Sequence, residues 1–236
     1  MLRGRAESLW LHGALAVKQL SSDFAAAPNS RDRLFEANLG ATWWENDAAG
    51  ASSFGIDLLQ GLSGLGATTS STPLRSRLSG SGQFTLVTAN ATRLQTLGGG
   101  WQFYAAGMGQ IASRGLLTAE QCGYGGPTFG QGFDTSEIAG DECLEAAAEL
   151  RYRPPDGPFS RVQVYAFGDA GKTWLKGALL PGETRSSHGE SAGAGVRLDL
   201  THGLLATAAF AQPFSRDVAL EGDRRGRFFF SISKAL

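Results

Sequence analysis

The stretch LEAAAELRY, residues 144–152, alternates between two kinds of side chain. Its even-numbered positions are apolar or aromatic, and its odd-numbered positions include Glu145, Glu149 and Arg151. A period of two places successive side chains on opposite faces of an extended chain. The stretch therefore predicts a β-strand with one apolar and one polar face.

The same period recurs along the chain, for example in Phe35–Trp43, Arg161–Asp169 and Ala192–Leu200. It predicts about ten strands, many of which reach the ~9–11 residues with which a tilted strand crosses a bilayer. They lie near residues 4–18, 32–46, 51–62, 82–95, 99–114, 143–153, 160–173, 186–200, 203–214 and 226–235.

The connections between these strands alternate in length. Long ones are predicted near 19–31, 63–81, 115–142, 174–185 and 215–225, and short ones near 47–50, 96–98, 154–159 and 201–202. An outer-membrane barrel produces this alternation, because its loops are long on one side of the membrane and short on the other. A soluble β-sandwich also gives a period of two, and it stays open as an alternative, but it has no reason to keep its long loops at one end.

Composition excludes several classes of function. Net charge is −1, which gives no electrostatic reason to expect nucleic-acid binding. No apolar run approaches the ~20 residues of a membrane helix, so a spanning chain of this kind has to be a closed barrel. The two cysteines and the scattered His12, His188 and His202 offer no set of metal ligands, and we expect no metal, cofactor or small-molecule substrate.

The long connection carries a recognisable pattern. Residues 120–152 read EQCGYGGPTFGQGFDTSEIAGDECLEAAAELRY. This stretch resembles the haemolysin secretion/activation proteins, the transporters of two-partner secretion, which belong to the superfamily of outer-membrane assembly factors. In that family a long loop folds back into the barrel, and its tip has the form aromatic or aliphatic, x, Arg, Gly, aromatic. The corresponding positions here are Phe129, Gly130, Gln131, Gly132 and Phe133.

A second motif of the superfamily, Phe-x-Asp-x-Gly, lies on the lumen wall. Here it corresponds to Phe167, Asp169 and Gly171, and the alternation puts Asp169 on the polar face of its strand. The resemblance implies that the tip arginine pairs with this aspartate, a directional contact for a guanidinium. The sequence has Gln131 at the arginine position, whose amide can still donate to Asp169 but supplies no charge.

Other charges of the predicted lumen bear on this substitution. We expect Arg151 or Arg161 to neutralise Asp169 in place of the missing arginine, with Glu149 as a further lumen charge. Loss of one partner of a buried ion pair can cost ~3–5 kcal/mol, and less in a hydrated lumen. The substitution therefore predicts a loosened loop and weakened transport, which Gln131→Arg would improve.

The resemblance implies the fold class and the domain organisation. Residues 1–236 are expected to form the C-terminal part of an antiparallel transmembrane β-barrel of about sixteen strands, with the inward loop near 115–142. The family's signal peptide and periplasmic POTRA domains are not visible in the sequence, so we expect a fragment or a truncated gene.

The resemblance also implies the function. The expected activity is secretion of a large unfolded partner, such as a haemolysin or adhesin, through the outer membrane of a Gram-negative bacterium. Outer-membrane lipid and the barrel-insertion machinery are the other expected partners, and no reaction is expected. The alternatives are an assembly factor of the same superfamily, the soluble sandwich, and a barrel lipase, for which no histidine lies near a plausible nucleophile in sequence.

Cys122 and Cys143 bracket the long loop. Antiparallel neighbours at the base of a loop can reach the Cα spacing that a disulfide requires, and an extracellular compartment is oxidising. The pair is therefore expected either as a disulfide that closes the base of the loop or as two free thiols.

Overall fold

The computed structural model describes residues 2–3, 6–25, 27–200 and 203–234. Within these ranges one antiparallel sheet contains eleven strands, and a small hairpin forms a second sheet. The strands of the main sheet are β1 (Leu2–Arg3), β2 (Glu7–Phe24), β3 (Ala27–Asp47), β4 (Gly50–Gly61), β5 (Thr85–Gly98), β6 (Trp101–Ala112), β9 (Glu142–Tyr152), β10 (Val162–Trp174), β11 (Ser186–Asp199), β12 (Leu204–Pro213) and β13 (Arg227–Lys234).

The strands of the main sheet follow one another in chain order, except that β7 and β8 are not part of it. The hairpin of β7 (Cys122–Tyr124) and β8 (Ile138–Gly140) leaves the wall, so that β6 pairs directly with β9. A single 3₁₀ turn, Thr118–Glu120, precedes this hairpin. Within the described ranges, no helix has the length and apolarity needed to span a membrane.

The predicted strands are confirmed at all ten positions. The register Ala166↔Leu150 and Ala166↔Ala194 places β10 between β9 and β11, as expected for consecutive antiparallel strands. Long connections at 62–84, 113–141, 175–185 and 214–226 lie at one end of the sheet, and the short turns at 48–49, 99–100 and 153–161 lie at the other. The predicted turn at 201–202 falls outside the described residues.

The long connection predicted at 19–31 is wrong. Strands β2 and β3 continue through most of this segment, and the register runs from Lys18↔Leu34 to Phe24↔Ala27. A shift between Ser22 and Asp23 accommodates Pro28, and Arg31 donates to Asp23 across the pair at 2.6 Å. Residues such as Ser22, Asp23 and Pro28 are typical of loops, but here they pair across the hairpin and the chain stays in the strand.

The outward face of the sheet is apolar and exposed. Leu144 is 64 % exposed and Leu39 is 65 % exposed, which is unusual for a water-soluble protein but typical of a wall that faces hydrocarbon. Side chains of this kind occur on nearly every long strand: Leu11, Leu15, Phe54, Ile56, Leu58, Phe103, Ile111, Leu150, Val164, Val196, Phe210 and Phe228.

The inward face packs against the long loops. Leu116 and Leu117 from the connection 113–141 are fully buried with Leu34, Phe84 and Leu86. A second cluster contains Tyr124, Phe133, Ile138 and Val218, which all belong to loops or to the small hairpin. The core therefore lies between the concave side of the wall and the loops that fold onto it.

One buried carboxylate joins three of the long loops. Asp141, which is fully buried, pairs with Arg77 from the connection 62–84. It also accepts the backbone N–H of Leu116 at 2.8 Å and that of Lys176 at 2.6 Å. Because these donors come from three different connections, Asp141 fixes the loop end of the sheet as one unit.

We therefore predict that Asp141→Asn destabilises the folded protein. Removing the charge from a buried ion pair costs ~3–5 kcal/mol, whereas the same change at an exposed pair costs ~0–1 kcal/mol. Heat-dependent gel mobility of the detergent-solubilised protein measures the unfolding temperature. Asp217→Asn is the control, since Asp217 is 58 % exposed in its pair with Arg224. Equal shifts for the two variants would contradict a joining role for Asp141.

Candidate functional site

The connection 113–141 folds inward as a hairpin that lies on strands β10 and β11. Strands β7 and β8 pair in the register Gly123↔Ala139, and the segment between them forms the tip. Gly125 and Gly126 have φ values of +127° and +116°, a region that favours glycine, and their N–H groups donate to the carbonyls of Phe129 and Gly130 at 3.2 Å. The glycines thus let the tip turn back on itself.

The tip contacts the wall through its backbone. The N–H of Gln131 donates to Asp169 Oδ2 at 3.2 Å, and the N–H of Gly132 donates to Ser191 Oγ at 3.0 Å. Gly132 packs so closely that a Cβ there would lie 2.8 Å from the Ser191 Cβ and 3.0 Å from the Pro213 nitrogen. The glycine of the tip motif is therefore required by the close approach of the loop to β11 and β12.

Asp169 is the acceptor at which these contacts meet. Its side chain is buried on the inward face of β10, as the alternation predicted. Besides Gln131, the hydroxyls of Tyr124 and Ser191 each donate to Asp169 Oδ1 at 2.6 Å. Three donors from the hairpin, its tip and β11 therefore satisfy one buried carboxylate.

Tyr124 is a site residue that the motifs did not indicate. It is fully buried, and burial together with the neighbouring Asp169 raises the pKa of its phenol, which therefore stays protonated as a donor. Its ring lies flat on Gly171 of β10 and Gly189 of β11, where a Cβ at either position would overlap the ring. The glycine of the Phe-x-Asp-x-Gly motif thus leaves the space that the Tyr124 ring occupies.

The aromatic residues of the two motifs have different environments. Phe133 is 2 % exposed and packs against Tyr124 with ring centroids 5.7 Å apart, while Phe129 is partly buried against the same cluster. Phe167 lies on Gly193 of β11 in a separate cluster with Tyr165. The glycines on the inward face of β11 thus accommodate rings from both the hairpin and β10.

The side chain of Gln131 does not make the bond to Asp169 that the sequence suggested. The main chain makes it instead, and the side chain lines a cavity of about 450 Å³ beside Glu149, Tyr165 and Arg197. Because the backbone N–H of Gln131 and two hydroxyls reach Asp169 without any help from the Gln131 side chain, the contact does not depend on which side chain stands there.

The expected neutralisation of Asp169 by Arg151 or Arg161 is also wrong within the described residues. Arg151 donates to Glu149 at 2.7 Å and lies over the ring of Tyr104, and Arg161 is exposed just before β10 at the short-turn end. Glu149 also binds Arg197, whose guanidinium lies 3.8 Å from the centroid of Tyr165. Sequence spacing could not separate these pairs, since Glu149, Arg151 and Asp169 share the inward side.

The base of the hairpin is closed by the two cysteines. Cys122 begins β7 and Cys143 lies on β9, and their sulfur atoms lie at bonding distance with the Cα atoms 6.3 Å apart. This spacing is within the range of protein disulfides. A bridge at this point ties the start of the hairpin to strand β9 of the wall.

The sequence matches one known protein family. Residues 2–198 match the family described as haemolysin secretion/activation protein ShlB/FhaC/HecB. The match includes the hairpin, its tip and the Asp169 motif. The chain belongs to the haemolysin secretion/activation protein family.

Solved structures agree on the fold. CdiB from Escherichia coli matches with a TM-score of 0.76 and 16 % identity over 98 % of this chain and 42 % of that chain. BamA from Haemophilus ducreyi lacking POTRA domains 1–3 matches with a TM-score of 0.62 and 17 % identity, over 88 % and 44 %. This member of the haemolysin secretion/activation family therefore spans less than half of each structure. No curated protein matches the chain.

We predict that Gly171→Ala displaces the Tyr124 ring and loosens the inward hairpin. Overpacking of this kind costs ~1–3 kcal/mol. Gly168→Ala, in the same motif, is the control, because a Cβ there meets nothing closer than the Ser191 carbonyl oxygen at 4.0 Å. Limited proteolysis of the connection 113–141 reports the effect. Faster cleavage of the Gly168 variant, or unchanged cleavage of the Gly171 variant, would contradict this role of the ring.

We predict that Cys122 and Cys143 are linked in the protein isolated without reductant. Peptide mass spectrometry under non-reducing conditions should recover the cross-linked pair, and two free thiols would refute the link. In the chain-entropy description, closing a loop of this length contributes about 3 kcal/mol. The double serine variant should therefore unfold at a lower temperature, while the reduced wild-type protein should behave like that variant.

Proposed function

We propose that the chain forms part of the wall and plug of an outer-membrane pore that secretes a large partner protein. The observation that carries this proposal is the hairpin docked on Asp169 from the concave side of the wall. A segment in this place occupies the passage, so it has to move or reshape when a polypeptide passes.

The two faces of the sheet support this proposal. The outward apolar band suits the hydrocarbon of an outer membrane, and barrel-insertion machinery is the partner that delivers such a wall. The inward side carries the charged group Glu149, Arg151 and Arg197 together with Gln163, which binds Arg197 at 3.1 Å. Polar side chains of both signs suit the passage of an unfolded chain, because they offer weak contacts and no continuous apolar surface.

The second candidate is an assembly factor that inserts other barrels. The likeness to BamA favours it at the level of the fold. The two candidates differ in their products: a secretion pore releases one soluble protein into the medium, whereas an assembly factor alters the amount of many barrels in the outer membrane.

Secretion is the test. Deleting the gene in its host should remove one large protein from the medium without changing the profile of folded outer-membrane barrels, and the wild-type gene should restore it. A change in many barrels with no lost secreted protein would instead support the assembly factor. If the deletion changed neither the secreted proteins nor the outer-membrane barrels, both candidates would be rejected.

We predict that Asp169→Ala fails to restore full secretion. The change leaves the Tyr124 and Ser191 hydroxyls and the Gln131 N–H without their acceptor, and each unsatisfied buried group costs ~1–3 kcal/mol. The control is Asp156→Ala, since Asp156 is exposed in a short turn. Both variants must be present in the membrane at comparable amounts, measured as heat-modifiable protein. Full secretion by the Asp169 variant would show that docking of the hairpin is not needed.

A further inference from the structure

The tip of the inward loop lacks a cation, but the residue after the motif carries a charge. Asp134 follows Phe133 and pairs with Arg227, the first residue of β13, at 2.6 Å. We propose that Asp134 and Arg227 are the ionic anchor that positions this loop, with the acid on the loop and the arginine on the wall. The inference deepens the proposed function and affects transport only if that function holds.

The environment of the pair suits an anchor. The side chains of Arg227 and Asp134 are 20 % and 26 % exposed, so bulk water screens them less than it screens an exposed pair. Arg227 lies opposite Ala211, a fully buried residue of β12, and its guanidinium lies 5.6 Å from the centroid of the Phe229 ring. The arginine is therefore held on the inward side of the wall, where the loop tip arrives.

The orientation of Asp134 is set by its neighbours. Phe133 is buried on one side, and the Asp134 carbonyl accepts the N–H of Glu137 at 3.0 Å in a turn. The carboxylate consequently points away from the aromatic cluster and towards β13. A charge at position 134 thus contacts β13, whereas the motif residue at 131 contacts β10, so the tip is attached to two different strands.

The last connection, 214–226, strengthens the same attachment. Its Val218 is fully buried against Tyr124 and Phe133, and the N–H of Ala219 donates to Glu137 at 2.7 Å. Arg227 also reaches Glu221 of this connection at 3.3 Å. Arg227 therefore joins the inward loop and the last connection at a single guanidinium.

The pair uses only part of its bonding capacity. A guanidinium and a carboxylate can form two parallel hydrogen bonds, but here Asp134 Oδ2 and Arg227 Nη1 have no hydrogen-bond partner among the described residues. The ionic contact is therefore a single bond, so that only one bond of this pair has to break, besides the hydrogen bonds to Asp169 and Ser191, when the tip leaves. This is the behaviour that a plug needs if it both closes a passage and releases it.

Hydrogen exchange of the loop tests the anchor directly. The amides of Gln131 and Gly132 are bonded to Asp169 and Ser191 only when the tip is docked, so their exchange reports docking without any secretion assay. We expect Asp134→Asn and Arg227→Gln each to speed exchange of these amides by about tenfold, and Arg227→Lys to restore most of the protection. Arg225→Gln is the control, because Arg225 is 89 % exposed, and it should change nothing.

The double variant separates an ionic anchor from two unrelated defects. If Asp134 and Arg227 act through each other, Asp134→Asn combined with Arg227→Gln should be no worse than either single variant. Additive effects near a hundredfold, or unchanged exchange in the single variants, would overturn the proposal. Faster exchange with normal secretion would keep the anchor and instead count against the proposed role of the loop in transport.

Discussion

The buried carboxylate of Asp169 is the interaction on which the rest of the site depends. Taking an ionised group away from water is costly unless hydrogen bonds replace the lost hydration. Here three donors supply them, and two of these belong to the inward loop: the Tyr124 hydroxyl and the Gln131 N–H. The wall therefore carries an acceptor that is satisfied only when the loop is docked, which makes the position of the loop a consequence of the chemistry of the wall.

Shape complements this bonding. Strand β11 has glycine on its inward face at 189, 193 and 195, and a ring lies on each: Tyr124, Phe167 and Tyr165 respectively. A side chain at any of these positions would overlap the ring that lies there. Strand β11 therefore has no side chains at the positions where the hairpin and β10 place large rings. The high glycine content of the chain thus has a specific structural use on this face, in addition to its use in turns.

The sequence predicted the wall better than it predicted the site, and the reason is physical. Alternation is a property of each strand alone, so Leu144–Tyr152 revealed both its strand and its two faces. The segment 19–31 misled because turn-forming residues such as Ser22, Asp23 and Pro28 can pair within a long hairpin as readily as they form a loop. The partners of Arg151 and Asp169 were mispredicted because several charges share the inward side, and only the register decides which of them meet.

The residues of the tip show the limit of motif reasoning in another way. The absence of arginine at position 131 predicted a loosened loop, since the motif describes one side chain at one place. Binding energy is not restricted to that place: backbone donors reach Asp169, and Asp134 offers a charge three residues later. Tyr124 contributes both a hydroxyl and a ring. The sequence signal for it was limited to the glycines at 171 and 189, on which its ring lies.

The base and the tip of the loop are held by different kinds of contact, and this difference bears on how a plug can work. At the base, Asp141 joins three connections and the cysteines lie at bonding distance, so release there requires breaking several strong contacts together. At the tip, hydrogen bonds to Asp169 and one bond between Asp134 and Arg227 can break singly. In the proposed pore, a loop fixed at its base and held at its tip by bonds that break one at a time would clear the passage by moving its tip away from β10 and β11.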